Sequence, residues 1–269
     1  MKEQIIENNQ RSIFVRSWEV DSATANIFIA HGLGEHSGRY TEFAEHFNSL
    51  GFNVYAHDLQ GHGKSAGKQG HIEHFEIYSD DQRFVIDTFS KKPLQNYLLG
   101  HSLGGVIATG FLIRYPELVS LGIISAPGYE KKIPPPFVKA TIGKLLANLF
   151  PTLTLGNEID ASQISRSKKV VDEYLADPLV HDRVSTKFFT SFLAEYEFIK
   201  SNVSSIQTPC LMLLPGNDSI INHQVSKDLF KQFNSEKNLL VEYPDAYHEV
   251  LNEDVEKHQA YAEIENWLK

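Results

Sequence analysis

The stretch Tyr97-Leu98-Leu99-Gly100-His101-Ser102-Leu103-Gly104 passes from a strand signal to a helix signal across a single serine. Tyr97-Leu98-Leu99 is a short apolar run of the kind that forms a buried strand. Val106, Ile107, Gly110, Phe111 and Ile113 then mark a buried helix, stopped near Pro116. Between them lies G-x-S-x-G. A tight strand-to-helix turn strains the serine backbone and lifts its oxygen above a sheet, and the flanking glycines let neighbouring backbone approach without a Cβ clash. The new helix aims its N-terminal amides at the same point.

The same alternation continues on both sides. Upstream, Ile27-Phe28-Ile29-Ala30 is a strand ending at His31-Gly32. Phe43, Phe47 and Leu50 lie on a helix closed by Gly51, Phe52-Asn53-Val54-Tyr55-Ala56 is a strand ending at His57-Asp58, and Phe84, Val85, Thr88 and Phe89 lie on a helix. Downstream, residues 119–124, 209–214 and 239–243 read as strands, and 225–233 and 260–268 as helices. This order predicts an α/β protein with a mostly parallel central sheet and helices on both faces. The rhythm breaks between residues 127 and 203, where helical patterns recur without a convincing strand. That segment reads as an inserted helical cap, with residues 1–126 and 204–269 forming the core.

At 269 residues, 42% hydrophobic and 22% charged, the chain has the composition of one ordinary globular domain with an insertion. Twenty-five Lys and Arg against 34 Asp and Glu give a formal charge of −9, which argues against nucleic acid as a partner. Cys210 is the single cysteine, so no intrachain disulfide can form, in keeping with a reducing cytoplasmic setting. It lies in an apolar run and reads as a buried small hydrophobe. The first residues lack the apolar centre of a signal peptide, and no run of about 18 apolar residues exists to cross a membrane. Peripheral contact with a membrane surface stays open.

A serine hydroxyl becomes a nucleophile only when a base takes its proton. His248 follows the last strand, where a loop returns to the sheet's carboxyl edge, and is the candidate base. Asp218 follows the strand before it, in Pro215-Gly216-Asn217-Asp218, and can fix the histidine tautomer and stabilise its cation. Asp245 is the rival acid, but it lies too near His248 in sequence for the usual arrangement. Ser102, Asp218 and His248 then occur in the chain order expected of serine hydrolases built on such a sheet. Donors for a developing oxyanion are the backbone amides of Leu103, directly after the serine, and Leu33, in the loop after the early strand. Other conspicuous residues have structural readings. Glu35 and Arg39, four apart, form a scaffold pair. His57, Asp58 and His62 support a tight glycine loop rather than a metal, and His101 packs beneath the turn. No metal or cofactor is called for.

Five stretches resemble the monoglyceride lipase and lysophospholipase family of serine α/β-hydrolases. They are His31-Gly32-Leu33-Gly34-Glu35-His36-Ser37-Gly38-Arg39-Tyr40, Asp58-Leu59-Gln60-Gly61-His62-Gly63-Lys64-Ser65, Gly100-His101-Ser102-Leu103-Gly104-Gly105, Asp177-Pro178-Leu179-Val180 and Tyr247-His248-Glu249-Val250-Leu251-Asn252-Glu253. The decapeptide at His31 is the most specific of them. The resemblance implies the α/β-hydrolase fold and a metal-free acyl hydrolase with a lid, acting on monoacylglycerols or lysophospholipids, with Leu33 and Leu103 as the oxyanion amides.

Substrate contacts are expected from the cap. Phe137, Val138, Ile142, Leu145, Leu146 and Leu149 recur at helical spacing, and Lys131, Lys132, Lys139 and Lys144 face only Glu130 in charge. Phe137, Leu145 and Leu149 can meet lipid or simply pack on the core. Phe188, Phe189, Phe192, Leu193, Tyr196 and Ile199 form a second stripe that reads as core. Two other functions compete: a carboxylesterase for small soluble esters, with an aminopeptidase further back, and a non-catalytic binding protein on the same fold. The completeness of the triad weighs against the last.

Overall fold

The structure, a computed structural model, describes residues 1–132 and 146–269. Its strands are β1 (Lys2–Asn8), β2 (Arg11–Trp18), β3 (Ala25–Ala30), β4 (Phe52–His57), β5 (Gln95–His101), β6 (Leu121–Ser125), β7 (Thr154–Gly156), β8 (Arg183–Ser185), β9 (Cys210–Pro215) and β10 (Leu239–Tyr243). Eight of them form one sheet in the order β1-β2-β4-β3-β5-β6-β9-β10. Pairing is parallel from β4 through to β10, and β2 runs antiparallel to both β1 and β4.

The inner strands are apolar throughout because both faces are covered. Ile27 and Ile29 point to one face, with Val54, Leu99, Ile123 and Leu211, and meet helix α1 (Thr41–Ser49) and the closing helix α7 (Glu256–Trp267). Phe28 points to the other, with Tyr55, Leu98 and Met212, against α2 (Glu76–Phe89), α3 (Leu103–Arg114) and α6 (His223–Phe230). Two further helices, α4 (Lys168–Ala176) and α5 (Thr186–Asn202), belong to the segment between β6 and β9. Phe188 and Ile199 of α5 are buried in the second core layer, with Phe192 and Tyr196 packed on it, so that stripe is core.

Two features depart from the sequence reading. The N-terminal hairpin β1–β2 is an addition to the pattern of apolar runs; β1 is an edge strand with most of its side chains exposed or half-exposed, so it carries no buried run. Residues 127–203 are not purely helical either, because β7 and β8 pair antiparallel, Thr154 opposite Ser185. Strands of three residues are too short to show an alternation, and their pairing joins distant parts of the segment. The parallel core points the carboxyl ends of β3, β5, β9 and β10 the same way, and the loops leaving those ends carry Leu33, Ser102, Asp218 and His248.

Candidate active site

Ser102 stands between β5 and α3 with φ 53° and ψ −115°, in the positive-φ region that side chains avoid. Its surroundings leave it no alternative. Its amide donates to Ser125 O (3.0 Å), and its carbonyl accepts from Gly105 N (2.9 Å) and Gly128 N (3.0 Å). A Cβ on Gly100 would lie 2.2 Å from Gly104 O, and one on Gly104 would lie 1.9 Å from Ala30 O. Both glycines of the motif are therefore required by close backbone approach.

Ser102 Oγ lies 2.9 Å from His248 Nε2, and His248 Nδ1 lies 2.7 Å from Asp218 Oδ2. The Nδ1 proton goes to the carboxylate, which leaves Nε2 to accept the serine proton. Asp218 Oδ1 accepts the amides of Ile220 (2.6 Å) and Ile221 (3.1 Å), which fixes the carboxylate in its loop. Burial opposes charge on Asp218, but His248 and His223 beside it outweigh burial and hold its pKa well below the usual carboxylate range. Burial also pushes His248 down, yet the charge and hydrogen bond of Asp218 prevail and leave its pKa raised. Asp245 is exposed and has no part in this chain of bonds.

A second imidazole, outside the triad read from the sequence, meets the Asp218 carboxylate. His223 Nε2 lies 2.6 Å from the same Asp218 Oδ2. The available signal was a histidine five residues after the acid, opening a helix behind Asn222. Among the described residues, Asp218, His223 and His248 are the group of potential metal ligands that lie together, within 4.8 Å of one another. Their facing atoms are already joined to each other by two hydrogen bonds. The loop at His57, Asp58 and His62 is occupied differently: Asp58 accepts from Ser37 N (2.8 Å) and Lys64 N (2.7 Å), and Gly61 and Gly63 take φ 74° and 50°. His101 is buried beneath the turn, its Nδ1 3.3 Å from Ser125 Oγ, and burial lowers its pKa to about 4.

The hydrolase family described as serine aminopeptidase, S33, matches residues 21–255. The monoacylglycerol lipase of Mycolicibacterium smegmatis is 30% identical over 255 residues, covering 93% of this chain and 90% of its own length. This chain belongs to the monoglyceride lipase family of serine α/β-hydrolases. An abhydrolase-domain protein of Dictyostelium discoideum is also 30% identical over 98% of the chain, which spans 28% of that longer protein. The crystal structure of the Paleococcus ferrophilus monoacylglycerol lipase superposes with a TM-score of 0.88 at 31% identity, covering 95% of this chain and 98% of that one.

In this monoglyceride lipase relative, the decapeptide at His31 builds a brace around the site. Glu35 accepts from Gly32 N (2.6 Å) and Tyr40 Oη (2.9 Å) through one oxygen and from Arg39 (2.6 Å) through the other. Arg39 also forms a two-pronged pair with Glu249, at 2.8 and 2.7 Å, directly after His248. Burial works against ionising Glu35, but Arg39 chiefly holds its pKa down at about 2. The serine-facing loop and the histidine loop are thus fastened to one guanidinium. Three contacts bring the stretch from Tyr174 to His181 onto the same loop. His36 Nε2 donates to Asp177 (2.8 Å), His181 N donates to Gly34 O (2.8 Å), and Arg39 stacks over Tyr174 at 4.8 Å. Leu149 is described and 63% exposed, whereas Phe137 and Leu145 lie outside the described residues.

Proposed function

We propose that this protein cleaves carboxylic esters of single-chain lipids, monoacylglycerols or lysophospholipids, through an acyl-enzyme on Ser102. The observation that carries this reading is the unbroken path Ser102 Oγ–His248 Nε2, His248 Nδ1–Asp218 Oδ2 at a strained turn. Ser102 Oγ attacks the ester carbonyl while His248 takes its proton. The tetrahedral oxyanion collapses, and His248 protonates the departing alcohol. Water then adds to the acyl-enzyme by the same route, and the fatty acid leaves.

The oxyanion donors in this reading are the amides of Leu33 and Leu103. Leu103 is the first residue of α3, and the amides of a helix's first turn have no partner within it. A Cβ on Gly32 would come within 3.4 Å of Ser102 Cβ, so the loop lies against the nucleophile. Gly32 N is held by Glu35, and the amide after it is that of Leu33. Residues 127–203 serve as the lid. Acidic charge and a single buried cysteine support a cytoplasmic enzyme. No helix among the described residues is long and apolar enough to cross a membrane. A lipid substrate and the exposed apolar side chains near Leu149 support peripheral binding to membrane surfaces.

The test is hydrolysis of esters of rising chain length on glycerol and glycerophosphocholine, with an aminoacyl arylamide as control. Preference for long single chains supports the reading; preference for short soluble esters favours a carboxylesterase, and arylamide turnover an aminopeptidase. Ser102→Ala is expected to lose turnover and fluorophosphonate labelling, and labelling at another serine would refute the assignment. Asp218→Asn is expected to cost on the order of 10⁴-fold in kcat because the amide favours the wrong tautomer. Asp245→Asn should change little.

A further inference from the structure

We propose that His223 is a positioning residue for the acid of the triad, acting as a second Nε2 donor that shares Asp218 with the base. The proposal rests on the reading of Ser102, His248 and Asp218 given above.

The carboxylate of Asp218 is fully engaged. Oδ1 takes the Ile220 and Ile221 amides, and Oδ2 takes two imidazoles, His248 at 2.7 Å and His223 at 2.6 Å. The side chain has no exposed surface, so no bulk water competes for these positions. His223 Nδ1 is buried without a hydrogen-bond partner among the described residues, so the proton belongs on Nε2, where it meets the carboxylate.

The placement of His223 is itself built. It is the first residue of α6, after Asn222, whose amide donates to Glu130 O (2.8 Å) and whose side chain donates to Glu130 Oε1 (3.1 Å). Lys132 N donates to Ile220 O (2.9 Å), and Lys132 Nζ donates to Asp218 O (2.6 Å). The segment that leaves β6 therefore grips the acid loop at Asp218, Ile220 and Asn222. The charged groups facing His223 are Asp218, Lys132 and the Lys227–Glu242 pair (2.6 Å), which line a cavity of about 210 Å³ with it; His248 lies on the far side of Asp218, and Glu130 behind Asn222.

Two consequences follow from a second donor on one oxygen. It draws carboxylate charge away from His248, so the imidazolium is stabilised less and the base is freed of its proton at lower pH. It also stops the carboxylate from turning, which keeps the His248 ring aimed at Ser102. A glutamine in place of His223 reaches the same point with its own Nε2, whereas an asparagine amide falls one bond short.

The experiment compares His223→Phe, His223→Asn and His223→Gln in the full chain on a soluble ester. Readouts are kcat, KM, the pH profile and the far-downfield proton resonance of the His248–Asp218 hydrogen bond. His223→Phe and His223→Asn are expected to lose about tenfold in kcat with KM unchanged. Their acid limb should move up by roughly half a pH or more, and the resonance should shift. His223→Gln should keep wild-type values. If His223→Phe does not fold, the Asn and Gln pair decides. Wild-type pH profiles and resonance in all variants, with only a lower Tm, would overturn the proposal while the triad stands. Turnover surviving in Ser102→Ala would bring down the triad reading and this proposal together.

Discussion

At Ser102, backbone strain and hydrogen bonding serve one purpose, which is to hold an oxygen 2.9 Å from a histidine whose proton state then controls its use. Burial disfavours the His248 cation, but Asp218 more than restores it, and the net pKa is raised above its ordinary value of about 6.5. Only the neutral ring can accept the serine proton. The acid limb of kcat/KM is therefore expected above pH about 6.5, with a tenfold fall for each further pH unit below it. A limb below pH about 6 in a pH–rate series would contradict this. The linked stability effects have opposite signs. The raised His248 pKa favours the fold at low pH, and that contribution is lost as pH rises through the folded value. The depressed Asp218 pKa favours the fold above about pH 3.9 and is lost as pH falls. Ser102, Asp218 and His248 were legible in sequence because each follows a strand that the apolar runs reveal. His223 is signalled only by its place five residues after the acid, and a helix start does not itself show that its first side chain turns back to that carboxylate. The Glu35–Arg39 pair was legible from its spacing, whereas Arg39–Glu249 joins positions 210 residues apart, which only the fold brings together.

At the level of elements, legibility followed coverage. Strands β3, β5 and β9, buried on both faces, announce themselves as continuous apolar runs; edge strand β1 and the short pair β7–β8 do not. The β1–β2 hairpin turns through Asn9 and Gln10, with φ 47° and 68°. Two positive φ values in a two-residue loop are the signature of a type I′ turn, which asparagine adopts readily and glutamine only under strain. Gln10→Gly is expected to stabilise the protein by about 0.5–1 kcal/mol, read as a higher midpoint in urea with an unchanged slope. The loop brace makes the opposite prediction. Arg39 neutralises two buried carboxylates, so Arg39→Met should cost roughly 3–5 kcal/mol and lower kcat, because the loops before and after the nucleophile lose their common anchor. Thermal unfolding with parallel ester kinetics checks it; a full kcat in a destabilised protein would show that the brace serves the fold alone.

On the scale of the whole molecule, exposed large apolar side chains among the described residues gather most densely in one stretch of the segment between β6 and β9. Leu149, Phe150, Leu153 and Leu155 are 63%, 59%, 42% and 50% exposed within seven residues of chain. Such clustering is uncommon unless the surface meets another apolar phase. The same segment touches the Gly34 loop through His181 and the Glu35–Arg39 brace through Tyr174. A lipid surface bound there would lie on the part of the protein that adjoins the catalytic loops. Each exposed side chain transferred to lipid is worth roughly 1 kcal/mol when about half its surface is gained. Replacing Leu149, Phe150 and Leu155 together by Ser should therefore weaken binding to neutral phosphatidylcholine vesicles on the order of 100-fold. Because these side chains bury little area in the folded chain, Tm should hold within about 1 °C. Turnover of a short soluble ester should be unchanged, since Ser102, His248 and Asp218 hang on the sheet. Loss of turnover on soluble ester and vesicle substrate alike, with a lower Tm, would mean that the stretch packs against residues of its own segment. Vesicle binding that survives the triple change would place the membrane contact elsewhere on the protein.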